Sequence, residues 1–276
     1  MYHEIVAYLR CPTCQAPVSL QRAETDRWAE IVGGELVCTG CASRYPIRGG
    51  VADFLGSRWP ETPAQVTNDW PATAWVYERA WRPFALSLFS GAPFPYRREL
   101  PLMTRMVQTQ RGGLYLDVAC SNGLYARALT RTMRGANGHA AGIDHSLPML
   151  AQARRFARDA GLRISYLRAK AQALPIAAGQ AAGVAIGGSL NEIGDLGACL
   201  TEVRRTLRPD GRYVAMTLAR AATIYGRLFQ RLLGLGGIQF WSPGELEALF
   251  ARHGLRTIER QQYGLVMFHL AVPDPL

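Results

Sequence analysis

Residues 116 to 123 read Leu-Asp-Val-Ala-Cys-Ser-Asn-Gly, and this octet constrains the fold more than any other segment. An apolar run ends in Asp117, a turn of small residues follows, and a helix-like stretch begins at Leu124. A strand, a tight turn and a helix in this order form a crevice where helix N–H groups can meet a ligand. The octet therefore predicts a nucleotide-binding crevice, although Ala119 and Ser121 stand where glycines are usual.

The segments around and after the octet alternate between strand-like and helix-like patterns. Strands are predicted at 113–118, 139–143, 164–168, 182–187, 211–218, 254–261 and 264–272, with helices near 123–134, 147–160, 196–207 and 243–253. Such alternation indicates a parallel sheet with helices on both faces. We therefore expect an α/β, Rossmann-like, doubly wound sheet of seven mostly parallel strands, closed at one edge by an antiparallel hairpin.

The octet resembles the first motif of class I S-adenosylmethionine-dependent methyltransferases, in which alternating glycines follow a hydrophobic residue and Asp. Four further stretches resemble that family in the same order: Gly142 to Ser146, Ser146 to Ala153, Ala171 to Ile176 and Leu207 to Arg212. The resemblance implies S-adenosylmethionine as cofactor. It also implies a set of cofactor-binding residues, namely Asp117, Ala119, Ser121, Gly123, Asp144, His145, Lys170, Ala171, Gln172 and Ser189.

Two acidic residues carry the main roles in this implied site. Asp144 lies 27 residues after Asp117, and an acidic residue about 20 residues past the glycine turn is the signal for binding the ribose hydroxyls of a nucleotide. Asp117 is expected to order the turn and to reach the methionine ammonium of the cofactor. The alternatives are a helix cap for Asp144 and a simple turn residue at the strand end for Asp117.

The chain departs from the family pattern at several of these positions. Lys170 stands where family members commonly have Asp, and a lysine cannot accept a hydrogen bond from adenine. Gln172 or a backbone carbonyl could replace that acceptor, or stacking could hold the adenine. Together with Ala119 and Ser121, this departure leaves open weak cofactor binding or a changed task for the domain.

Two C-x-x-C pairs, Cys11 with Cys14 and Cys38 with Cys41, are separated by 23 residues. Each pair places two thiolates on one turn, so the four cysteines predict a closed, structural zinc site. The alternatives are a pair of disulfides or unligated core cysteines. The following stretch, Tyr45 to Leu55, resembles the tail of the small zinc-ribbon proteins that activate several methyltransferases.

The domain organisation follows from these signals. We predict a zinc-ribbon module over residues 1–56, a linker and helical aromatic lid over 57–110, and a methyltransferase domain over 111–276 with an insertion at 219–241. We refer to residues 1–56 as the cysteine module. Its size leaves little core, so metal is expected to support its folding.

Asn191 and Glu192 follow the fourth predicted strand, at the edge of the sheet where ligands bind. They are the candidates for substrate contact or for a catalytic base, and capping of the next helix is the alternative. The aromatic residues of the lid (Tyr77, Trp81, Phe94, Tyr96) and of the insertion (Tyr225, Phe229, Phe240, Trp241) could enclose an apolar substrate or could pack between helices and sheet.

The stretch Val76 to Arg82 resembles the V-Y-E-R-x-W-R of zinc-ribbon-fused methyltransferases in plants and bacteria. We therefore expect O- or C-methylation of a small apolar or aromatic molecule. The alternatives are a ribosomal RNA guanine methyltransferase, because such enzymes also carry a cysteine-rich module, and a non-methylating enzyme or binding protein on this fold.

The net charge of +10 raises the question of a nucleic-acid partner. The cysteine module, however, carries five Arg against six acidic residues, which disfavours RNA binding without excluding it. No long apolar run predicts a membrane span and no leader pattern stands at the N-terminus, so a cytoplasmic location is expected. Cys120 and Cys199 are expected to be buried. The sequence carries no signal for an oligomeric state.

Overall fold

A computed structural model describes residues 1–56, 82–133 and 137–275. The strands are β1 Val18–Thr25, β2 Ile31–Cys38, β3 Arg44–Arg48, β4 Val51–Asp53, β5 Gly113–Val118, β6 Gly138–Asp144, β7 Ile164–Arg168, β8 Ala181–Gly187, β9 Leu207–Leu218, β10 Leu255–Tyr263 and β11 Val266–Pro273. The helices are α1 His3–Val6, α2 Arg82–Ser90, α3 Tyr96–Val107, α4 Leu124–Thr132, α5 Leu147–Asp159, α6 Leu196–Thr206, α7 Ile224–Gly234 and α8 Pro243–Arg252.

Seven strands form the doubly wound part of the sheet in the order β7-β6-β5-β8-β9-β11-β10. Neighbours from β7 to β9 pair in parallel, whereas β11 runs antiparallel to both β9 and β10. The predicted α/β fold with its antiparallel edge hairpin is therefore confirmed. The switch point of the strand order lies between β5 and β8, and it places the turn after β5 beside the segment after β8.

The cysteine module does not form a separate sheet, and here the predicted count of seven strands is wrong. Its strand β4 pairs in parallel with β7, with Val51 opposite Tyr166 and Asp53 opposite Arg168, so one sheet of eleven strands results. The physical reason is the edge of β7, whose unpaired N–H and C=O groups are satisfied by β4. The predicted domain boundaries at 56 and 110 stay a prediction.

Two buried clusters lie on the two faces of this sheet. One face packs against α3, α4 and α5, in a cluster that includes Tyr115 and Phe268. The other face packs against α6 and α8, and its cluster continues into Ile5 and Leu36 of the cysteine module. The N-terminal module is therefore part of the main core. Among the helices in the described part of the chain, none has the length and apolar character needed to cross a bilayer.

Candidate functional site

The turn after β5 has the backbone conformation of a glycine-rich turn, although Gly123 is the one glycine of the motif that is present in it. Ala119 has φ 53° and Ser121 has φ 49°, both in the left-handed region, and Gly123 has φ 75°. A side chain in this region costs roughly 1 to 2 kcal/mol per residue. At Gly123 a Cβ atom would also stand 2.8 Å from the Tyr166 hydroxyl. The departures from the motif thus change the residues and leave the turn geometry in place.

Asp144 closes β6 with both carboxylate oxygens held by backbone N–H groups. Ser121 N donates to Oδ2 at 2.7 Å, and Ser146 N donates to Oδ1 at 2.9 Å. The Nδ1 atom of the half-buried His145 lies 3.4 Å from Oδ1. The carboxylate is therefore fixed beside the turn, and its oxygens retain lone pairs for further donors.

Asp117 lies beneath the turn, almost fully buried. Its Oδ2 accepts a hydrogen bond of 2.7 Å from Ala126 N in the first turn of α4. The pKa of Asp117 is raised to about 7, mainly by burial and also by the nearby Asp144, against the opposing effect of the Ala126 hydrogen bond. A carboxylate held in this way would gain from a cationic ligand group.

The remaining predicted cofactor residues converge on the same edge. Ser189 follows β8, and its Oγ donates to the carbonyl of Ala119 at 3.2 Å. Lys170, Ala171 and Gln172 follow β7 and are half-buried; the segment begins where Ala169 N donates to the Asp144 carbonyl at 3.0 Å. We call this edge the cofactor crevice, formed by the carboxyl ends of β5, β6, β7 and β8. The binding roles of these residues stay a prediction.

The two candidate catalytic residues, Asn191 and Glu192, differ in the surroundings of their side chains. The Asn191 side chain donates to the carbonyls of Leu218 and Gln239, at 3.0 and 2.5 Å, and accepts from Thr217 Oγ1 and Leu218 N, at 2.6 and 2.9 Å. All of these bonds are within the protein, so Asn191 fixes the segment after β8 to the end of β9. These contacts give Asn191 a structural role, and its predicted role as a substrate contact or base stays a prediction.

Glu192 is half-buried, and it lies within electrostatic range of Asp144 and His145 at the cofactor crevice. Burial raises its pKa above the usual glutamate value, and the nearby Asp144 raises it further, whereas His145 opposes the shift. A carboxylate with a raised pKa is suited to accept a proton near neutral pH. Glu192 therefore remains the candidate base.

A buried polar cluster was missed by the sequence analysis. The Arg82 guanidinium donates to Glu99 Oε1 at 2.5 Å and to the carbonyl of Gly187 at 3.0 Å. The Tyr125 hydroxyl donates to the same Glu99 oxygen at 2.6 Å. The cluster joins α2, α3 and α4 to the end of β8, directly beside the cofactor crevice. No spacing in the sequence pointed to this set.

The predicted aromatic enclosure is only partly present. Tyr77 and Trp81 lie outside the described residues. Phe94 is fully buried and packs against Tyr263 and Phe268, with ring centroids 5.1 and 6.1 Å apart, so it belongs to the core. Of the other members, Tyr96, Phe240 and Trp241 are half-buried. Tyr225 and Phe229, for which enclosure of a substrate and packing against the sheet were the two alternatives, are exposed to solvent.

The four cysteines of the module form one cluster, and their sulfur atoms all lie within 4.8 Å of one another. Cys11 and Cys41 are 3.6 Å apart, and Cys14 and Cys38 are 3.4 Å apart, without disulfides. Four thiolates bound to zinc at about 2.3 Å would lie about 3.8 Å apart, so the set fits a tetrahedral metal. The cluster is thus of the metal-binding type.

Two ion pairs tie the cysteine module to the cofactor crevice. Arg168, at the end of β7, donates to Asp53 of β4 at 3.0 Å and to the carbonyl of His145 at 2.8 Å. Arg154, on α5, donates two hydrogen bonds to the buried Glu30, at 2.7 and 2.9 Å. Arg168 contacts His145, and Arg154 lies on α5, the helix that follows Asp144, so both ion pairs connect the module to that side of the crevice.

A doubly wound sheet with an acidic crevice at its switch point defines a nucleotide-binding α/β protein. Residues 116–211 match a methyltransferase domain, and residues 4–50 match Trm112p-like proteins. The demethylmenaquinone methyltransferase of Thermus thermophilus is 31% identical over 178 residues, which are 56% of this chain and 80% of that protein. The chain belongs to the class I S-adenosylmethionine-dependent methyltransferases and carries a Trm112p-like module at its N-terminal side.

Other similar proteins match about three quarters of the chain. An uncharacterized chloroplastic methyltransferase of Arabidopsis thaliana is 25% identical over 222 residues, which are 76% of this chain and 61% of that protein. A solved methyltransferase of Aquifex aeolicus has a TM-score of 0.57 at 16% identity, over 74% of this chain and 98% of that one. A chain from the complex between the Haloferax volcanii Trm112 activator and a methyltransferase has a TM-score of 0.56 at 17% identity, over 74% and 97%. These structures show a shared fold.

Proposed function

We propose that the chain transfers the methyl group of S-adenosylmethionine to an oxygen or carbon atom of a small apolar or aromatic molecule. The observation that carries this proposal is the cofactor crevice, where the fixed carboxylate of Asp144 lies within electrostatic range of Glu192. The Asp144 carboxylate can accept hydrogen bonds from the ribose of the cofactor, and the Glu192 carboxylate can accept a proton from the substrate.

Different residues of the crevice would contact different parts of the cofactor. Asp144 would accept hydrogen bonds from the ribose hydroxyls, with its orientation set by Ser121 N and Ser146 N. Asp117 would pair, directly or through water, with the cofactor ammonium, which favours the ionised form of this buried acid. When bound, the cofactor supplies an activated methyl group on a sulfonium. The chain aligns it with the substrate.

Glu192 would accept the proton that leaves a substrate hydroxyl or acidic carbon. Its raised pKa matches that task better than the value of an exposed glutamate would. Asn191 acts indirectly by holding the segment that carries Glu192 against β9. A hydroxylated aromatic ring is a fitting substrate, because deprotonation makes both its oxygen and its ring carbons more nucleophilic.

The choice of a small apolar substrate over RNA has two supports. Several relatives are named demethylmenaquinone methyltransferases, among them proteins of Thermus thermophilus and Halalkalibacterium halodurans. In addition, the cysteine module has six acidic residues against five Arg. Part of that Arg set is already paired, as in Arg44 with Glu35 at 2.9 Å. Phosphate binding would need unpaired positive charge there.

For the cysteine cluster we propose a structural zinc ion held by Cys11, Cys14, Cys38 and Cys41. Four protein ligands leave no open position for a substrate, which is typical of structural sites. The sulfur of Cys38 also accepts hydrogen bonds from Gly40 N and Cys41 N, at 3.3 and 3.4 Å. Such N–H donors favour the thiolate form that a metal requires.

The test is methyl transfer from cofactor labelled in its methyl group, with a short-chain naphthohydroquinone and with ribosomal RNA as competing acceptors. We expect label in the hydroquinone, with a large loss of kcat in Glu192→Gln. Glu24→Gln, on the exposed surface of β1, is the matched control and should keep full activity. Label in RNA alone would replace the proposal by the RNA alternative, and label in neither acceptor would contradict both.

A further inference from the structure

Helix α7 in the insertion presents an apolar face to solvent. Its large hydrophobic side chains have exposed fractions between 54% and 84%: Ile224, Tyr225, Leu228, Phe229 and Leu232, followed by Leu235 just past the helix end. Scattered exposed hydrophobics are ordinary, but a contiguous apolar surface usually marks an interaction site. The face spans the full length of the helix.

The buried side of α7 is polar. Gln230 is the buried residue of the helix; its Nε2 donates to the carbonyl of Ala219, and its Oε1 accepts from Ala221 N, both at 2.8 Å. At 3.6 residues per turn, Leu232 points about 160° away from Gln230. The helix is thus anchored by its polar side with its apolar side directed away from the protein, the reverse of an ordinary surface helix.

The charge of α7 identifies the surface that would cover this face. Arg227 and Arg231 are exposed along one border of the apolar face, and no acidic residue lies between Ile224 and Gly234. A second copy of the chain packed by two-fold symmetry would bring these like charges together. An apolar face bordered by arginines suits a bilayer with anionic headgroups.

Helix α7 also lies at the same edge of the sheet as the cofactor crevice. Ala219 N, ahead of the helix, donates to the carbonyl of Leu265 at 2.7 Å, and Leu265 N donates to the carbonyl of Phe89 in α2 at 2.8 Å. Helix α2 exposes two further large side chains, Phe84 and Leu88. Both helices therefore stand at the carboxyl ends of the strands, where the cofactor crevice opens.

We propose that α7 docks in the headgroup region of a bilayer that contains anionic phospholipids, with its apolar face inserted and Arg227 and Arg231 near the phosphates. The crevice then faces the lipid surface, from which an apolar substrate can be taken up. Docking itself stands on the helix alone, and only the uptake of substrate rests on the proposed function.

The test is flotation of the full chain with phosphatidylcholine vesicles, with and without phosphatidylglycerol. We expect binding that increases with phosphatidylglycerol. The double variant Leu228→Glu and Leu232→Glu should lower the partition coefficient by at least about 10-fold. Arg227→Gln and Arg231→Gln should each lower it about fivefold on the anionic vesicles. Ile258→Glu, at an exposed isoleucine of β10, is the matched control and should bind as the wild type does.

Three results would overturn the proposal: no flotation of the wild-type chain, equal flotation of the double variant, or a dimer in sedimentation that the double variant dissociates. The last result would assign the face to a second copy. Methyl transfer to a water-soluble acceptor without vesicles should be unchanged in the double variant. Absent methyl transfer with intact flotation would contradict the proposed function and leave docking in place.

Discussion

The backbone N–H of Ser121 donates a hydrogen bond of 2.7 Å to a carboxylate oxygen of Asp144. This bond joins the turn after β5 to the end of β6 and holds the carboxylate in place before any ligand arrives. Preorganised acceptors bind a ligand without the entropic cost of ordering. The bond also helps to hold Ser121 in its left-handed backbone conformation.

Cofactor binding is expected to depend on pH through Asp117. Its pKa of about 7 in the free chain means that the ionised form must be generated before it pairs with a cationic ammonium. Cofactor affinity should therefore fall as pH decreases below about 7, by up to about tenfold per pH unit. Titration calorimetry across the neutral range measures this. Asp117→Asn should remove the dependence, whereas Asp159→Asn at the exposed end of α5 should keep it. A flat wild-type profile would contradict the ammonium role.

The turn can be tested by two opposite substitutions. Ala119→Gly removes a left-handed backbone strain of roughly 1 to 2 kcal/mol. The added glycine increases the entropy of the unfolded chain, which costs roughly 0.5 to 1 kcal/mol. The free energy of unfolding should therefore rise slightly or stay level. Gly123→Ala should lower it by more than about 2 kcal/mol, because its Cβ would also crowd Tyr166 and Ala153. Gly161→Ala, with φ 64° and no close neighbour, separates the backbone effect from the crowding. Equal losses for Gly123→Ala and Gly161→Ala in urea unfolding would argue against crowding.

Metal content tests the cysteine cluster. Purified chain should hold about one zinc ion, and Cys38→Ser should lose the ion and lower the melting temperature. Cys199→Ala removes a buried cysteine outside the cluster and should retain the metal. Because Ile5 and Leu36 belong to the main core, the loss of metal should also loosen the methyltransferase part. Disulfides among the four cysteines in a reduced preparation would refute the zinc assignment.

The pair formed by Glu30 and Arg154 is expected to couple the cysteine module to the crevice. Glu30→Gln leaves the Arg154 guanidinium without its buried partner, which typically costs about 3 to 5 kcal/mol of stability. Since α5 begins close to Asp144, cofactor affinity should fall as well. Glu4→Gln breaks an exposed pair with Arg163 across the same boundary and should cost less than about 1 kcal/mol. Unchanged cofactor affinity in a folded Glu30→Gln variant would contradict the coupling.

The sequence predicted the doubly wound fold well because buried strands and amphipathic helices leave a periodic pattern of apolar residues. All seven strands and the four predicted helices after Gly113 are present within a few residues. The pairing of β4 with β7 was not predictable in this way, because backbone hydrogen bonds at a sheet edge produce no pattern of apolar residues. Helix α7 does carry a periodic spacing of apolar residues, at Ile224, Leu228 and Leu232, but its segment was interpreted only as an insertion.

The candidate site was predictable where it follows a linear motif. The turn residues and Asp144 lie in one short region and converge as expected. Arg82, Glu99 and Tyr125 meet through contacts over 17 and 26 positions, which no local pattern encodes. Asn191 shows the opposite problem, because its position after β8 suits a ligand contact, while its side chain is fully engaged by β9 and Gln239.

Calorimetric titration with S-adenosylmethionine tests the central claim, that the chain binds this cofactor in the crevice at Asp144. We expect the wild-type chain to bind one cofactor. In Asp144→Ala, affinity should be weaker by on the order of 2 to 3 kcal/mol, because the ribose loses its acceptor. Circular dichroism should show that the variant remains folded. No binding by the wild-type chain, or equal binding by folded Asp144→Ala, would contradict the account.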